Sequence, residues 1–254
     1  MLRRPRLVRR RAVKVFRSRR RVEPGAREKR DNDLSGRLVT VSASAGAAAE
    51  AYRSLRATLL YAFADNPPQV IVLTSPGHGD GKSTISANLG AALGQTDKKV
   101  LLADCDFRTP AMHKIFGLRN TFGVVNVLAG EHELPEVWHE PLPGLRIVTA
   151  GLQPPNPAEL LGSRQFAEFL DQLRQEFDYI LLDTSPVGLF SDPLAIAPRA
   201  DGVLLVIDAQ NTRKGSVWQS VRSLRAVRAN VLGTIMNKAK VTGVDNHYYY
   251  EHYR

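Results

Sequence analysis

Cysteine is nearly absent, Cys105 being the only one in 254 residues. One thiol forms no internal disulfide, and no Cys/His spacing resembles a zinc site, which points to a reducing compartment and predicts a cytoplasmic location. Long apolar runs are missing too. Although 43% of the residues are hydrophobic, stretches such as Val203–Ile207 fall far short of the ~20 residues that cross a bilayer, so no membrane span is expected. No apolar stretch follows the basic start, which argues against a secretory signal. Internal repeats are absent. The length suits one α/β domain with tails.

The net charge of +10 is unevenly placed. Residues 1–30 hold 14 Lys and Arg against 2 acidic residues, and residues 31–254 hold 21 against 23. The body is therefore nearly neutral. In the arm MLRRPRLVRRRAVKVFRSRRR, Leu7, Val8, Ala12, Val15 and Phe16 alternate with arginines. Three readings stand: an amphipathic helix on anionic lipid, a nucleic-acid arm, or a solvated tail without a partner, the nucleic-acid reading being the least favoured.

From Glu23 to Ala45 the chain reads as a linker with one short strand around Leu38–Val41. Residues 1–46 are thus expected to form a disordered arm and linker, 47–238 the folded domain and 239–254 a flexible tail. Over 47–64, Tyr52, Leu55, Leu59 and Phe63 make one helical stripe that Asn66-Pro67-Pro68 ends. Short apolar runs then alternate with helical stretches: QVIVLTS, KKVLLAD, LRIVTA, DYILLD, GVLLVID and VLGTIMN. Such alternation predicts a doubly wound, mainly parallel α/β sheet with helices on both faces and a ligand at the carboxyl ends of the strands.

The first of these strands runs into SPGHGDGKST and a helix, the order a phosphate-binding P-loop requires. Gly77, Gly79 and Gly81 let backbone amides turn toward phosphate, Lys82 supplies a cation, and Ser83, followed by Thr84, offers a hydroxyl to Mg²⁺. Asp80 belongs to the loop and is expected to face outward. Pro76 stands where the strict pattern has glycine. Asp104 and Asp106 end the next strand, two residues apart and so on one side of an extended chain. Asp183 ends DYILLD in the manner of a Walker B acid that helps hold Mg²⁺. Carboxylates at strand ends also cap helices, but three converging on one P-loop make a site.

These motifs resemble the bacterial tyrosine kinases of the CpsD, CapB and Wzc type that accompany capsular and exopolysaccharide synthesis, over roughly residues 47–254. TSPGHGDGKST is similar to the family's first motif, in which Pro76 is familiar. Leu101–Pro110, with Asp104, Asp106, Arg108 and Pro110, resembles its second acidic motif. Glu50-x-x-Arg53-x-x-Arg56 looks like its oligomerisation motif, although alone it reads as ordinary surface pairing. PPNPAELLGS also resembles the family. The end HYYYEHYR holds Tyr248, Tyr249, Tyr250 and Tyr253, four of the seven tyrosines, otherwise readable as a sticky tail.

The resemblance implies transfer of the γ-phosphoryl group of ATP, with Mg²⁺, to tyrosines of the chain's own tail, in trans within a ring-like homo-oligomer. It assigns Lys82, Asp104, Asp106 and Asp183 to catalysis, with Asp104 as base and Asp106 among the metal ligands, although these two roles are exchangeable. Arg108 joins the nucleotide site, and Asn237 is taken as an adenine contact from its place after the last strand. A membrane adaptor of the chain-length determinant type is implied as partner, with peripheral placement at the inner face of the membrane. The rival readings are a positioning ATPase of the MinD/ParA kind without kinase activity and a nucleotide-binding regulatory subunit.

Overall fold

The computed structural model describes residues 36–42, 46–63 and 66–239. The basic arm and the four tail tyrosines lie outside the described residues. Seven strands make one sheet among them: β1 (Val70–Thr74), β2 (Val100–Cys105), β3 (Trp138–Leu142), β4 (Leu145–Val148), β5 (Tyr179–Thr184), β6 (Gly202–Asp208) and β7 (Val231–Asn237). Their order is β3-β4-β2-β5-β1-β6-β7, and every neighbouring pair is parallel except β3–β4. The helices are α1 (Val39–Ser42), α2 (Ala47–Tyr61), α3 (Lys82–Gly94), α4 (Met112–Ile115), α5 (Val124–Leu128), α6 (Leu134–Val137), α7 (Pro157–Gly162), α8 (Arg164–Glu176), α9 (Asp192–Ile196) and α10 (Lys214–Ala226).

Successive strand residues face opposite sides of a sheet, and the two cores follow from that rule. Val70 and Val72 of β1 pack with Phe166, Phe169, Leu170 and Leu173 of α8. Ile71 and Leu73 pack on the other side with Ile85, Leu89 and Leu93 of α3 and Leu59 of α2. Each such side chain, fully buried, contributes about 1.5–3 kcal/mol before the entropy of ordering is set against it. The polar face of α8 reads as solvated, and Ser163 caps its start by accepting from the Phe166 amide at 3.2 Å.

One expectation is corrected here. Leu38–Val41 is not a strand. Val39–Ser42 makes a helical turn in which Leu38 and Thr40 are buried, because Thr40 bonds Asn88 of α3 through both its amide and its hydroxyl at 3.2 Å. Packed structure therefore starts ahead of residue 47, inside the stretch assigned to the disordered linker. The strand β3 escaped the sequence: WHEPL carries Pro141 and polar residues, its register with β4 is irregular, and it lies at the sheet edge where such residues are tolerated.

Candidate active site

The P-loop joins β1 to α3 at the carboxyl end of the central strands. Gly81 has φ +95°, a left-handed conformation open to glycine at little cost. A Cβ there would lie 2.0 Å from Asn237 Nδ2, so glycine is required twice over. The loop after β5 is stitched to the same place. Thr74 Oγ1 donates to the Ser185 carbonyl at 2.8 Å and the Val187 amide to the Ser75 carbonyl at 2.9 Å. A Cβ on Gly188 would stand 2.1 Å from the Pro76 carbonyl.

Asp80 is turned inward, contrary to the outward orientation expected. Its Oδ2 accepts from the Gly77 amide at 2.8 Å and its Oδ1 from Thr212 Oγ1 at 2.8 Å. It closes the loop on itself and ties it to the segment after β6, satisfying an amide that the tight turn leaves without a backbone partner. Asn237 Nδ2 donates to the Asp80 carbonyl at 2.9 Å, and Lys238 Nζ reaches the Gly79 carbonyl and Asp208 Oδ2, each at 2.8 Å. Asn237 is thus brought to the P-loop, where it is engaged with the loop backbone. The side chain of Asn211 and Lys238 together with the Gln210 amide hold the Asp208 carboxyl well below its usual range.

Three carboxylates and a lysine meet beside the loop. Asp104 and Asp183 are register partners on the neighbouring strands β2 and β5, hence side by side on the face that α3 covers. Asp104, Asp106 and Asp183 are each fully buried. Lys82 Nζ lies 2.7 Å from Asp106 Oδ2, 3.5 Å from Asp183 Oδ2 and 3.0 Å from Ser83 Oγ. Ser86 Oγ lies 2.9 Å from both Asp183 Oδ1 and the Lys82 carbonyl. Asp104 Oδ2 accepts from the Ala111 and Met112 amides, at 2.9 and 3.0 Å, at the start of α4. Asp106 accepts from the amide and hydroxyl of Thr109.

Burial and the neighbouring Asp183 charge push the Asp104 carboxyl up to about 7, against hydrogen bonds from Met112 and Ala111 and the charge of Lys82. Asp183 is raised by burial despite Lys82. Burial also works on Asp106, but the Lys82 ammonium and the bonds from Lys82 and Thr109 outweigh it and hold that carboxyl low. Burial alone would lower Lys82; Asp183 and Asp106 keep it raised and charged.

Arg108 pairs with Asp192, its Nε 2.6 Å from Oδ2 and an Nη 3.0 Å from Oδ1, and its guanidinium lies 4.4 Å above the Phe190 ring. Phe190 in turn meets His78 of the P-loop edge to face. Ser83 and Thr84 line a cleft of about 190 Å³ over the loop, together with Gly77, Lys82 and Thr109. A second cleft of about 530 Å³ opens between the loop and Asp208, Thr212 and Lys238. Clefts of about 500 and 580 Å³ at the amino ends of the strands are remote from this chemistry.

The structure thus brings Gly77, Gly79, Asp80, Gly81, Lys82, Ser83, Thr84, Asp104, Asp106, Asp183 and Asn237 to one end of the sheet. Glu50, Arg53 and Arg56 stand apart on α2. Arg53 pairs with Glu50 on the surface, whereas Arg56 Nη1 donates to the Ala92 carbonyl of α3 at 2.7 Å. Ser86, Thr109, Asp192 and Lys238 are members of the site that the sequence did not suggest. Asp192 alone had a signal, since SDP opens a helix with an acid in its first turn.

A family model described as an AAA domain matches residues 68–235. The chain is 37% identical over 189 residues to the putative tyrosine-protein kinase EpsB of Ralstonia nicotianae, a match covering 74% of this chain and 25% of EpsB. It therefore spans about a quarter of that relative's length. It is 32% identical over 225 residues to the tyrosine-protein kinase YwqD of Bacillus subtilis, covering 88% of this chain and 95% of YwqD. The kinase domain of the Escherichia coli tyrosine kinase ETK superposes with a TM-score of 0.75 at 28% identity, covering 81% of this chain and 82% of that one.

Proposed function

The chain belongs to the family of bacterial tyrosine-protein kinases that includes YwqD, and on that premise we propose that it transfers the γ-phosphoryl group of ATP to tyrosine hydroxyls, beginning with Tyr248, Tyr249, Tyr250 and Tyr253. The observation that carries the proposal is the convergence of Ser83, Asp106 and Asp183 within 3.5 Å of the Lys82 ammonium, beside a P-loop. An ammonium that sits among a hydroxyl and two carboxylates marks a place suited to a cation. No group of three or more His, Cys, Asp or Glu poised for a metal is present among the described residues, so the oxygens of a nucleotide would complete the set. Ser83, Asp106 and Asp183 are the residues that would hold Mg²⁺, which when bound supplies charge neutralisation to the triphosphate.

The residues divide the work. Lys82 follows the polyphosphate, and the β1–α3 turn holds it. Asp106, kept ionised by Lys82 and Thr109, would hold the metal together with Asp183. Asp104, whose carboxyl titrates near neutrality, accepts the proton of the attacking tyrosine, whose own pKa of ~10 makes it a poor nucleophile at pH 7. Arg108, paired with Asp192, fixes the loop after β5 beside the site. The clefts on either side of the P-loop offer room for phosphates on one side and for the nucleoside on the other, with Asn237 between them.

The link from β7 to the tail tyrosines is short. Residues 238–246 reach at most ~30 Å when extended, which favours phosphorylation of one subunit's tail by the next, with Glu50, Arg53 and Arg56 in the contact between subunits. Each phosphate adds about −1.5 to −2 charges, and their repulsion loosens the assembly. No helix among the described residues is long and apolar enough to cross a membrane, so a place at the membrane would come from a membrane adaptor and from residues 1–30 on anionic lipid. The output of the cycle is control of capsular or exopolysaccharide synthesis or export.

The test is incubation of the full chain with Mg²⁺ and labelled ATP beside Lys82→Met and a variant with all four tail tyrosines changed to Phe, with sites mapped by mass spectrometry. Label on the tail of intact chain, lost in both variants, supports the kinase. Phosphate release with no tyrosine label, even after a membrane-adaptor fragment is added, supports a positioning ATPase instead.

A further inference from the structure

Arg37 precedes α1 and lines the 190 Å³ cleft over the P-loop. Its neighbours fix its backbone to the helix that begins at the phosphate loop. Asn88 of α3, itself fully buried, donates from Nδ2 to the Arg37 carbonyl at 2.7 Å and to the Thr84 carbonyl at 2.9 Å. Its Oδ1 accepts from the amide and hydroxyl of Thr40 at 3.2 Å. Leu38, between the two clamped residues, is fully buried in the α2–α3 core. One buried amide thereby ties the segment that carries Arg37 to the first turns of α3, while Arg37 itself stays exposed.

The charge around the loop makes that placement consequential. Lys82, the other Lys or Arg on the wall of this cleft, is shared between Asp106 and Asp183. Lys238, on the far side of the loop, is engaged by Asp208, and Arg108 is engaged by Asp192. With three buried carboxylates against one lysine, the pocket that must receive a polyanion is short of free positive charge. Arg37 enters no ion pair among the described residues. A guanidinium is also the side chain best suited to grip two phosphate oxygens at once, and a backbone already fixed spares the cost of ordering it.

We propose that Arg37 is a phosphate-contacting residue of the nucleotide site, a cation supplied from outside the P-loop and positioned by Asn88. This rests on the reading of the site as an ATP site, and the experiment separates the two. The full chain is titrated with a fluorescent ATP analogue and Mg²⁺, together with Arg37→Gln, Arg37→Lys, Arg37→Glu and, as background, Lys82→Met. A charged hydrogen bond to phosphate is worth enough that Arg37→Gln should weaken binding about tenfold, Arg37→Glu should weaken it further, and Arg37→Lys should recover part of the loss. Inorganic tripolyphosphate, used as competitor, should lose affinity for Arg37→Gln by a similar factor, since the contact is to phosphate and not to the base.

Binding by the intact chain that Arg37→Gln and Arg37→Glu leave unchanged overturns the assignment and spares the nucleotide reading. No binding by the intact chain above the Lys82→Met background overturns both. Melting curves guard the comparison. Substituting an exposed side chain leaves the bonds of Asn88 to the backbone intact, so all three Arg37 variants should melt with the intact chain. Asn88→Ala offers the converse arm. It should weaken the analogue with Arg37 present and add little on top of Arg37→Gln, and full additivity of the two losses counts against the clamp.

Discussion

Lys82 Nζ stands 2.7 Å from Asp106 Oδ2, joining the first residue of α3 to the carboxylate just beyond β2. Both groups are withdrawn from water, so each depends on the other for its charge. Lys82→Met removes the cation that would face phosphate and leaves Asp106 and Asp183 without their partner. Tyrosine labelling should fall at least 100-fold, in line with loss of a group that meets charge in the transition state. Breaking a buried pair by removing one partner typically costs about 3–5 kcal/mol. With Lys82 gone, the Asp106 carboxyl is no longer held low, so the deficit in stability should be large at pH 8 and shrink toward pH 5 as the acids take up protons. Denaturant unfolding of both chains at the two pH values measures it.

The raised Asp104 carboxyl has a consequence of the opposite sign. A carboxyl whose folded value lies above its unfolded value favours the fold fully only below the ordinary carboxylate range, and that contribution is lost as pH rises through about 7. Asp183 acts in the same direction. His113 and His139, both lowered by burial, act on the acid side instead, so comparison with a variant isolates the effect. Asp104→Asn keeps an oxygen for the Ala111 and Met112 amides but cannot ionise. In thermal melts without nucleotide, its stability relative to the intact chain should rise with pH from about 4 to 7, by up to about 1.4 kcal/mol per pH unit, and level off above 7. A constant difference would show that Asp104 does not titrate there.

Much of this site was legible in the sequence because its parts are local. Glycines, Lys82 and Ser83 follow one strand within a few residues, and Asp104, Asp106 and Asp183 end apolar runs whose alternation with helices fixes which end of a parallel sheet they share. Six of the seven strands could be read in the same way, since buried central strands are continuous apolar runs. What was not legible depends on contacts far apart in the chain. The inward turn of Asp80 is set by the Gly77 amide and by Thr212, which lies 132 residues away. Val39, Thr40 and Val41 carry the β-branched pattern of a strand, and it is Asn88, bonded to Thr40, that holds them in a helical turn. Residues Arg37 and Asp192 likewise gain meaning only from what packs beside them.

On α2 the spacing Glu50-x-x-Arg53-x-x-Arg56 suggested one function for three residues, and the structure separates them. Arg56 donates to the Ala92 carbonyl of α3 within the same chain, whereas Arg53 and Glu50 pair with side chains that are 35% and 44% exposed. Arg56→Ala should therefore lower the stability of the subunit itself, by roughly 0.5–1.5 kcal/mol for a lost part-buried hydrogen bond. That corresponds to a few degrees in Tm for a domain of this size. Arg53→Ala should change Tm little, because exposed pairs contribute about 0–1 kcal/mol. If the motif also joins subunits, light scattering should show smaller assemblies for both variants. A change in assembly with Arg56→Ala alone would trace to the weakened α2–α3 packing and remove Glu50 and Arg53 from the interface.

Gly81 and Asn237 are coupled through one contact. Alanine at position 81 meets two separate objections: a φ of +95° that L residues rarely adopt, and a Cβ 2.0 Å from the Asn237 amide. The backbone term costs on the order of 1–3 kcal/mol wherever the side chain of Asn237 goes, and the steric term exists only while Asn237 is present. Asn237→Ala alone gives up its bond to the Asp80 carbonyl, about 0.5–1.5 kcal/mol. Gly81→Ala in the intact background should thus be the more harmful change, and it should weaken ATP binding as the loop is pushed from its shape. Combined, the two substitutions should destabilise by less than the sum of the singles, because the clash is relieved and only the φ strain and the lost bond remain. Urea unfolding of the four chains gives the coupling energy directly. A value near zero would mean that Asn237 swings away freely, and that its contact with Asp80 does not hold the P-loop.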